Sequence, residues 1–382
     1  MRIIISGGGT GGHIFPALAI ANAIKARHPE AEILFVGAKG RMEMEKVPAA
    51  GYTIKGLPIA GLQRQITLHN ILLNLLLPFK VLASRCKVRS ILRSFKPDVV
   101  VGVGGFASQP TLSVAARMGY TTLLQEQNSY AGLANKTLAR SAARICVAYP
   151  DMERFFPADK IVFTGNPVRQ DIENLGVDRA QGCSHFGLDP ERPVILVVGG
   201  SLGARSINCM MMDGLGLFPQ SQVQVIWQTG RLMQQQAREA VASAHVEQWV
   251  KVHPFISRMD MAYAAADLVI SRAGAIAISE LTLVAKPVIL VPSPNVAEDH
   301  QTKNAKALES RGAALLVPDA KCHDEALPQA LALVKDPERC ANMKQAISKM
   351  AVKQAANLIV DQIEQLIKNR NYSIPSLRES DR

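Results

Sequence analysis

The chain has 382 residues, more than one ordinary hydrophobic core accommodates, so two domains are expected. Apolar residues at 48% and charged residues at 20% are typical of a globular soluble protein, and six scattered cysteines without a C-x-x-C pair argue against a zinc site and for reduced thiols. The net charge of +11 favours an anionic partner, which leaves nucleic acid, a phosphorylated substrate and an acidic membrane to be distinguished.

The N-terminal stretch RIIISGGGTGGHIFPALAIA predicts a strand, a glycine-rich turn and a helix. Residues 2–6 are mostly branched and apolar, while Ala17 and Ile20 begin a helical face for which Pro16 suits the first helical position. The glycines would let a phosphate approach bare backbone N–H groups at the positive end of a helix dipole. Alternatively, they only allow the strand and the helix to pack tightly. No basic and apolar leader precedes the strand, so export is not expected.

Strand-like runs alternate with helical stretches along nearly the whole chain. After the first strand they lie at 32–37, 98–104, 121–125, 144–148 and 160–165, and a second cycle follows at 193–208, 223–230, 267–274, 287–293 and 313–318. This alternation predicts an α/β fold with parallel strands and helices on both faces of each sheet. Because the second cycle opens with a glycine loop like the first, we expect two doubly wound domains facing across a cleft.

The segment TGNPVRQDI around Asn166 and Pro167 interrupts both periodicities and is the predicted linker. A final helix is predicted from apolar residues at helical spacing in AANLIVDQIEQLIKNR, and the polar end beyond it is expected to fray. The expected organisation is an N-terminal domain at 1–163 completed by the final helix at about 355–370, a C-terminal domain at 164–354, and a tail at 371–382.

The first glycine loop satisfies G-x-G-x-x-G over residues 7–12, so a nicotinamide-dependent oxidoreductase has to be considered. Such a site also needs an acidic residue at the end of the second strand to hold the ribose, but residues 37–39 read GAK. The loop is not a Walker loop either, because His13 stands where Lys-Ser/Thr would follow. The sequence therefore disfavours both of these nucleotide sites.

The second glycine loop, GGSLGAR at 199–205, offers Ser201 and successive N–H groups to a diphosphate. Its predicted counterpart is SRAGAIAISEL at 271–281, in which Gly274 precedes a helix and Glu280 can accept from a pair of ribose hydroxyls. A carboxylate in the first turns is also favourable to the helix dipole by itself, so a purely structural role for Glu280 stays open.

Seven ordered motifs resemble the bacterial MurG family: GGGTGGHIFPALA, VGVGGFAS, QEQNSYAGLANK, GNPVR, GGSLGAR, SRAGA with SEL, and EDHQTKNA. The resemblance implies the GT-B fold, two Rossmann-like domains with the sugar nucleotide held mainly by the C-terminal one. It implies inverting transfer of N-acetylglucosamine from UDP-GlcNAc to the C4 hydroxyl of MurNAc-pentapeptide on undecaprenyl pyrophosphate, without a cofactor. The expected location is the cytoplasmic face of the inner membrane.

The resemblance also assigns roles to individual positions. It places Thr10, Gly11 and Gly12 near the donor sugar and its phosphates, Asn128 and Arg169 across the cleft, Ser201 on the diphosphate and the backbone of Ile256 against the uracil. The donor is further lined by Ala275, Ile276, Ala277, Ile278, Ser279 and Glu280, with Glu280 on the ribose and Gln301 on the hexose hydroxyls. A guanidinium at Arg169 also suits a departing diphosphate, although a hinge arginine on the surface is a common alternative.

Transfer needs a base for the acceptor hydroxyl and a way to stabilise the charge on the departing UDP. His13 is the first candidate for the base, since an imidazole's ordinary pKa suits proton removal near neutrality; binding substrate or capping the helix is the alternative. Glu126 is the second candidate, with orientation of backbone or acceptor as its alternative. The chain has no D-x-D motif, so no metal is expected, and loop amides, helix dipoles and Arg169 take its place.

Four positions depart from the commoner pattern of the family. They are Phe106 for tyrosine, Gln125 for histidine, Leu202 for glutamine and Ala277 for threonine. Each departure removes a side-chain hydrogen bond but leaves the backbone amides in place. Gln125 argues against an essential histidine base at that position.

Residues 46–97 contain nine cations and no acidic residue. The apolar run ILLNLLLPFKVLASR inside this window is too short to span a bilayer, which takes about 20 residues, and suits an interfacial patch that meets anionic headgroups. The predicted membrane contacts are Leu72, Leu75, Leu76, Phe79, Lys80, Arg85, Lys87 and Arg89. A core helix with a solvated basic face is the alternative. Nucleic acid is disfavoured because aromatic residues make up only 5% of the chain and do not interleave with these cations as a base-stacking platform would require.

Three other functions stay open on the sequence. A UDP-GlcNAc epimerase or another GT-B enzyme shares the fold, the oxidoreductase would use the first loop, and a binding-only scaffold would fit the lost polar contacts.

Overall fold

The computed structural model describes residues 1–59, 75, 77–200, 202–296 and 299–372. Three residues named above, Ser201, Leu72 and Leu76, lie outside this described part of the chain. The chain forms two compact units: unit 1 comprises Met1–Val168 and Gln354–Arg382, and unit 2 comprises Arg169–Lys353. The predicted linker residues Asn166 and Pro167 directly precede the boundary.

Thirteen strands are described. They are β1 Arg2–Ser6, β2 Glu32–Ala38, β3 Thr53–Leu57, β4 Val99–Gly102, β5 Thr121–Glu126, β6 Arg144–Val147, β7 Ile161–Phe163, β8 Val194–Val198, β9 Gln224–Gln228, β10 Val250–His253, β11 Leu268–Ser271, β12 Val288–Leu290 and β13 Leu315–Leu316.

Sixteen α-helices are described. They are α1 Gly11–Arg27, α2 Glu43–Ala49, α3 Leu77–Phe95, α4 Ser108–Arg117, α5 Leu133–Leu138, α6 Gln170–Glu173, α7 Arg179–Phe186, α8 Arg205–Asp213, α9 Leu217–Ser221, α10 Gln234–Ser243, α11 Met259–Ala265, α12 Ala275–Val284, α13 His300–Glu309, α14 Leu327–Leu333, α15 Pro337–Ser348 and α16 Ala355–Tyr372. Short 3-10 turns lie at Met152–Arg154, Ala158–Lys160 and Asp319–Lys321, and a π-helical turn at Cys322–Ala326 precedes α14.

Unit 1 is built on a seven-stranded parallel sheet in the order β3-β2-β1-β4-β5-β6-β7. Its central strands are apolar on both faces, as expected for a parallel sheet covered by helices: Ile3 pairs with Ile33 on one side and Val99 on the other. The final helix α16 buries Ile359 and Ile363 in the same core.

Polar contacts also attach α16 to the end of α1. The Arg27 guanidinium donates to the Asp361 carboxylate, and His28 Nε2 lies 2.8 Å from Glu364 Oε1. The last helix in the sequence is therefore part of the first unit.

Unit 2 is built on a six-stranded parallel sheet in the order β10-β9-β8-β11-β12-β13. One face buries Trp227 and Phe218, and the other buries Tyr263 and Ile278. The two sheets confirm the predicted α/β fold of two doubly wound domains.

The structure corrects one predicted helix start and adds two strands. Helix α1 begins at Gly11 with Thr10 as its N-cap, so Pro16 lies inside the helix rather than at its start. Because Pro16 has no N–H, the helix lacks the backbone hydrogen bond to the Gly12 carbonyl. This loss is close to the N-terminal end, where several backbone groups have no partner within the helix in any case. Strands β3 and β10 were not predicted, because both are edge strands with polar residues between the apolar ones.

Each sheet reverses its strand order once, between β1 and β4 in unit 1 and between β8 and β11 in unit 2. Ligands of doubly wound sheets bind beyond the carboxyl ends of the strands at such reversals. Both predicted glycine loops follow strands at these points, since the first comes after β1 and the second after β8. In the described part of the chain, none of the helices combines the length and the apolar character needed to cross a bilayer.

Candidate functional site

The first glycine loop is pressed against the loop that follows β4. A Cβ added at Gly105, which has φ +81°, would lie 2.3 Å from the carbonyl oxygen of Gly8. The two loops therefore meet backbone to backbone, and only glycine allows the approach. Thr10 is exposed at the N-cap of α1, and Gly11 and Gly12 supply N–H groups to the first turn.

A carboxylate that was not predicted from the sequence contacts this loop. Glu43, the first residue of α2, is 1% exposed and accepts hydrogen bonds from Gly9 N and Ala38 N, both at 3.0 Å. A Cβ at Gly8 would lie 2.2 Å from Glu43 Oε1. Because a negative charge already fills the loop, an anionic pyrophosphate is repelled there, and this disfavours the dinucleotide interpretation further.

His13 is the third residue of α1 and lies in the first turn of the helix instead of in the loop. Its ring lies close to the loop after β4: a Cβ built at Gly104, where φ is +89°, would be 3.0 Å from His13 Cε1 and 3.6 Å from Gln127 Oε1. The imidazole therefore stands at the carboxyl edge of the sheet where β1, β4 and β5 end.

Glu126, the last residue of β5, is 1% exposed and surrounded by N–H donors. Its carboxylate accepts from Asn128 N at 3.1 Å and Nδ2 at 3.3 Å, from Gly132 N at 3.0 Å and from Asn135 Nδ2 at 2.9 Å. These contacts fold the loop 127–132 around one buried charge. They support the orienting role that the sequence analysis left open for Glu126, and they also fix the side chain of Asn128.

Beneath this loop, three buried carboxamides hold one another. Gln125 Nε2 donates to Asn166 Oδ1 at 2.9 Å, Asn166 Nδ2 donates to the Gln127 carbonyl at 3.0 Å, and Gln127 Nε2 donates to the Val103 carbonyl at 2.7 Å. Gln125 stands where the family commonly has histidine, and its amide supports the loop from below.

In unit 2 the second glycine loop packs against the turn after β9. A Cβ at Gly203, with φ +80°, would lie 2.0 Å from the Thr229 carbonyl oxygen. Gln228, at the end of β9, uses both ends of its amide: Nε2 donates to the Gly200 carbonyl, and Oε1 accepts from Ile256 N, each at 3.0 Å. The backbone at Ile256 is predicted to meet the uracil, and because its N–H donates to Gln228, its carbonyl is the backbone group considered for the base.

Helix α12 starts directly after β11, with Gly274 as its N-cap. Its first turn exposes backbone N–H groups at the positive end of the helix dipole. The residues predicted to line the donor follow here: Ala275, Ile276, Ala277, Ile278, Ser279 and Glu280. Ala275 and Ile278 are buried, and Ser279 Oγ donates to the Ala275 carbonyl, so these three contribute backbone or packing more than free side chains.

Glu280 lies where α12 meets α11 and the start of α6. Its Oε2 accepts from the Tyr263 hydroxyl at 2.9 Å, and its Oε1 lies 3.9 Å from Arg169 Nε. Burial raises the pKa of Glu280, while the nearby Arg169 charge and the Tyr263 hydrogen bond oppose that rise. Arg169 also approaches Asp171 and the Ser257 carbonyl, so this arginine is fixed by several groups of unit 2.

The other predicted residues take defined places. Gln301 Oε1 accepts from Ser293 N at 2.9 Å, which leaves its amide nitrogen as a donor beyond β12. Phe106 packs its ring against Gly9, and Leu202 is 71% exposed at the tip of the second loop. Of the apolar departures, Phe106 therefore covers the first glycine loop and Leu202 points to solvent.

Comparisons with known proteins agree with this arrangement. The Glycosyltransferase family 28 N-terminal domain matches residues 3–147, and the C-terminal domain of the same family matches residues 194–359. A UDP-N-acetylglucosamine--N-acetylmuramyl-(pentapeptide) pyrophosphoryl-undecaprenol N-acetylglucosamine transferase of Phocaeicola vulgatus is 57% identical, with 96% of each chain covered.

Two solved structures are informative in different ways. The crystal structure of Acinetobacter baumannii MurG is 28% identical with a TM-score of 0.74, and the match covers 95% of this chain and 99% of that one. A UDP-N-acetylglucosamine 2-epimerase, 16% identical with a TM-score of 0.63 and 97% of both chains covered, shares the fold alone.

The two parallel sheets, the loops at their reversals and these matches lead to one assignment. The chain has the predicted GT-B fold, is a glycosyltransferase, and belongs to the MurG family.

Proposed function

We propose that this enzyme transfers N-acetylglucosamine from UDP-GlcNAc to the C4 hydroxyl of MurNAc-pentapeptide on undecaprenyl pyrophosphate, with inversion. The observation that carries the proposal is the contrast between the two glycine loops. In unit 1 the Glu43 carboxylate accepts from the loop N–H of Gly9. At the reversal of unit 2 there is instead an amide-rich turn and the helix N-terminus at Gly274, followed by Glu280, whose Oε2 accepts from Tyr263 and whose Oε1 lies 3.9 Å from Arg169 Nε. Unit 2 therefore has the chemistry for a nucleoside diphosphate.

On the donor side, each predicted contact has a physical rationale. The diphosphate lies against the second glycine loop with Ser201 and the N-terminus of α12, where N–H groups favour negative charge. The ribose hydroxyls donate to Glu280, the uracil meets the Ile256 carbonyl, and Gln301 Nε2 donates to a hexose hydroxyl. Thr10, Gly11 and Gly12 approach the sugar from unit 1.

On the acceptor side, His13 is the proposed base. The ring lies at the carboxyl edge of the sheet of unit 1, against Gly104, and no side chain larger than hydrogen fits at that glycine without displacing it. Glu126 has an indirect role, because its four contacts with N–H groups shape the loop that carries Asn128. A carboxylate whose two oxygens already accept from the protein's own N–H groups holds this loop in place.

We expect transfer to continue without a divalent ion, because Arg169 and the backbone amides of the loops supply the positive potential that the departing UDP needs. Turnover measured with and without EDTA should differ by less than about twofold, well within one power of ten in rate. Complete loss in EDTA that Mg²⁺ or Mn²⁺ restores would contradict this expectation.

Helix α3 supports a membrane-facing role for unit 1. One face of the helix buries Val88, Ile91 and Leu92, yet a second apolar stripe stays exposed, with Phe79 70% and Leu82 61% accessible. A core helix with a purely solvated outer face does not account for this second stripe.

The predicted cations around α3 are not equivalent. Leu75 extends the exposed stripe, and Lys80, Arg85 and Arg89 lie on the same helix. Lys87 is different because its Nζ donates to the Gly56 carbonyl at 2.7 Å. We propose that the stripe enters the interface of an anionic leaflet while Lys80, Arg85 and Arg89 meet headgroups.

Exchanging Phe79 and Leu82 for serine should weaken association with vesicles of anionic phospholipid. Each buried apolar side chain contributes about 1.5 kcal/mol or more, or about tenfold in the partition coefficient. Cosedimentation measures the effect, and Leu232→Ser is the matched control because Leu232 is 88% exposed but lies in unit 2. Equal binding of the double variant and the control would rule out α3 as the membrane contact.

The function itself is tested by UDP release. Release that requires the lipid-linked acceptor supports transfer, whereas formation of an epimerised UDP-sugar without acceptor would support the epimerase. Calorimetric titration with UDP-GlcNAc and with NADH separates both from an oxidoreductase.

A further inference from the structure

The carboxylate of Glu280 is held unequally at its two oxygens. Tyr263 OH donates to Oε2 at 2.9 Å, while Oε1 faces Arg169 Nε at 3.9 Å, too far for a hydrogen bond. The side chain of Glu280 keeps 13% of its surface accessible. Oε2 therefore accepts a hydrogen bond from the protein, whereas Oε1 has only the longer ion-pair contact with Arg169 among the described residues.

Tyr263 is well suited to hold this carboxylate in one orientation. It lies in α11, is 3% exposed, and packs in the same core cluster as Ile278 and Leu281 of α12. Burial raises the pKa of Tyr263 well above its usual value, so the hydroxyl keeps its proton and acts as a donor. The ring has no room to turn away without opening this core.

We propose that Tyr263 is a positioning residue for donor recognition, because its hydroxyl fixes Glu280 with Oε1 directed toward the ribose hydroxyls of the nucleotide. This inference rests on the proposed function, since it takes a UDP-sugar as the ligand of unit 2. Tyr263 does not touch the donor; it determines which rotamer of Glu280 the donor meets.

The charged and titratable neighbours of Glu280 give the expected pH response. Arg169, at the start of α6, and Tyr263, on α11, lower the pKa of Glu280, while Asp171 on α6 and burial raise it. Glu280 accepts two ribose donors only when ionised, so donor affinity falls as the pH drops through this raised pKa. Removing the Tyr263 hydroxyl removes one of the two groups that oppose the rise, which moves the loss of affinity to a higher pH.

The decisive variant is Tyr263→Phe, assayed with UDP-GlcNAc and with 2′-deoxy-UDP-GlcNAc. We expect kcat/KM for UDP-GlcNAc to fall about tenfold, mainly through KM, and that for the deoxy donor to fall less, by about threefold, because the deoxy donor keeps only its 3′-hydroxyl as a partner for Glu280. The preference for ribose over deoxyribose thus shrinks, and the acidic limb of the donor affinity moves to higher pH.

Tyr120→Phe is the matched control, because the Tyr120 hydroxyl also makes one partly buried hydrogen bond, to the Leu92 carbonyl in unit 1. It should leave the preference for ribose unchanged. A second test adds Tyr263→Phe to Glu280→Ala, where no further loss of donor affinity is expected if the tyrosine acts through the glutamate. Tyr263→Met replaces the phenylalanine variant if that one does not fold.

Two results would overturn the proposal: an equal loss with both donors, which indicates a merely structural role, or an unchanged preference for ribose in Tyr263→Phe. Failure of the proposed function is recognised separately, because the unmodified enzyme would then neither bind UDP-GlcNAc nor release UDP when acceptor is present.

Discussion

Replacement of His13 by alanine is expected to lower kcat about 10²–10⁴-fold, the usual contribution of a positioned general base. KM for UDP-GlcNAc should stay within about threefold, because ground-state binding of the donor is assigned to unit 2. Steady-state release of UDP with the lipid acceptor gives both quantities in one set of experiments.

Glu126→Gln tests whether Glu126 is the catalytic base or a residue that holds the loop 127–132 in place. The substitution keeps the size of the side chain but turns one acceptor oxygen into a donor, which then faces N–H groups of residues 128–135. Each donor left unpaired costs about 1–3 kcal/mol, so unit 1 should melt earlier and activity should fall with it. A stable Glu126→Gln variant with a large loss of kcat, beside a His13→Ala variant within about tenfold of the parent enzyme, would assign the base to Glu126 instead.

The sequence predicted the central strands because burial on both faces demands continuous apolar runs, as in VILVV of β8. The prediction missed β3, where the exposed Thr53 and Lys55 alternate with Ile54 and Gly56, because an edge strand does not need such a run. The predicted start of α1 was wrong for a related reason. A proline is a good sign of a helix start only when the residues before it are not already helical, and the glycines gave no periodicity from which to judge that.

The site was predictable where chemistry follows directly from local sequence, and not where it depends on a distant partner. The glycine loops and Glu280 are local features of a strand followed by a helix. Glu43 contacts Gly9 across 34 positions of the chain, and Tyr263 contacts Glu280 across 17. A single glutamate in KGRMEME or a single tyrosine in MAYAAAD carries no local sign of its partner, so both were missed.

Glu43, Glu126 and Glu280 differ in how many of their carboxylate oxygens accept hydrogen bonds from the protein. Glu43 and Glu126 are each 1% exposed, and each gives both oxygens to N–H groups of the protein. Glu280 gives one oxygen to a tyrosine and keeps part of its surface accessible. A second oxygen without a hydrogen bond from the described protein groups, more than the presence of a carboxylate near a glycine loop, distinguishes the proposed ligand-binding glutamate from the two that shape the protein.

The principle makes a strong prediction for Glu43→Ala. The change leaves Gly9 N and Ala38 N without their acceptor in a buried space, and hydrogen bonds to a charged group are worth about 1.5–3 kcal/mol each. We expect unit 1 to lose about 3–6 kcal/mol of stability. Because the same loop leads into the first turn of α1, which places His13, kcat should fall by about 10²-fold or more.

In Glu43→Gln the losses of stability and of kcat should be smaller than in Glu43→Ala. The amide oxygen still accepts from one of the two N–H groups, while the new amide nitrogen faces the other. Thermal unfolding and steady-state UDP release measure the two effects. Glu45→Ala is the control, because Glu45 lies in the same helix α2 but is exposed. Wild-type turnover and melting in Glu43→Ala would mean that the first glycine loop keeps its shape without the carboxylate, and that its glycines, packed against the loop after β4, are sufficient to place His13.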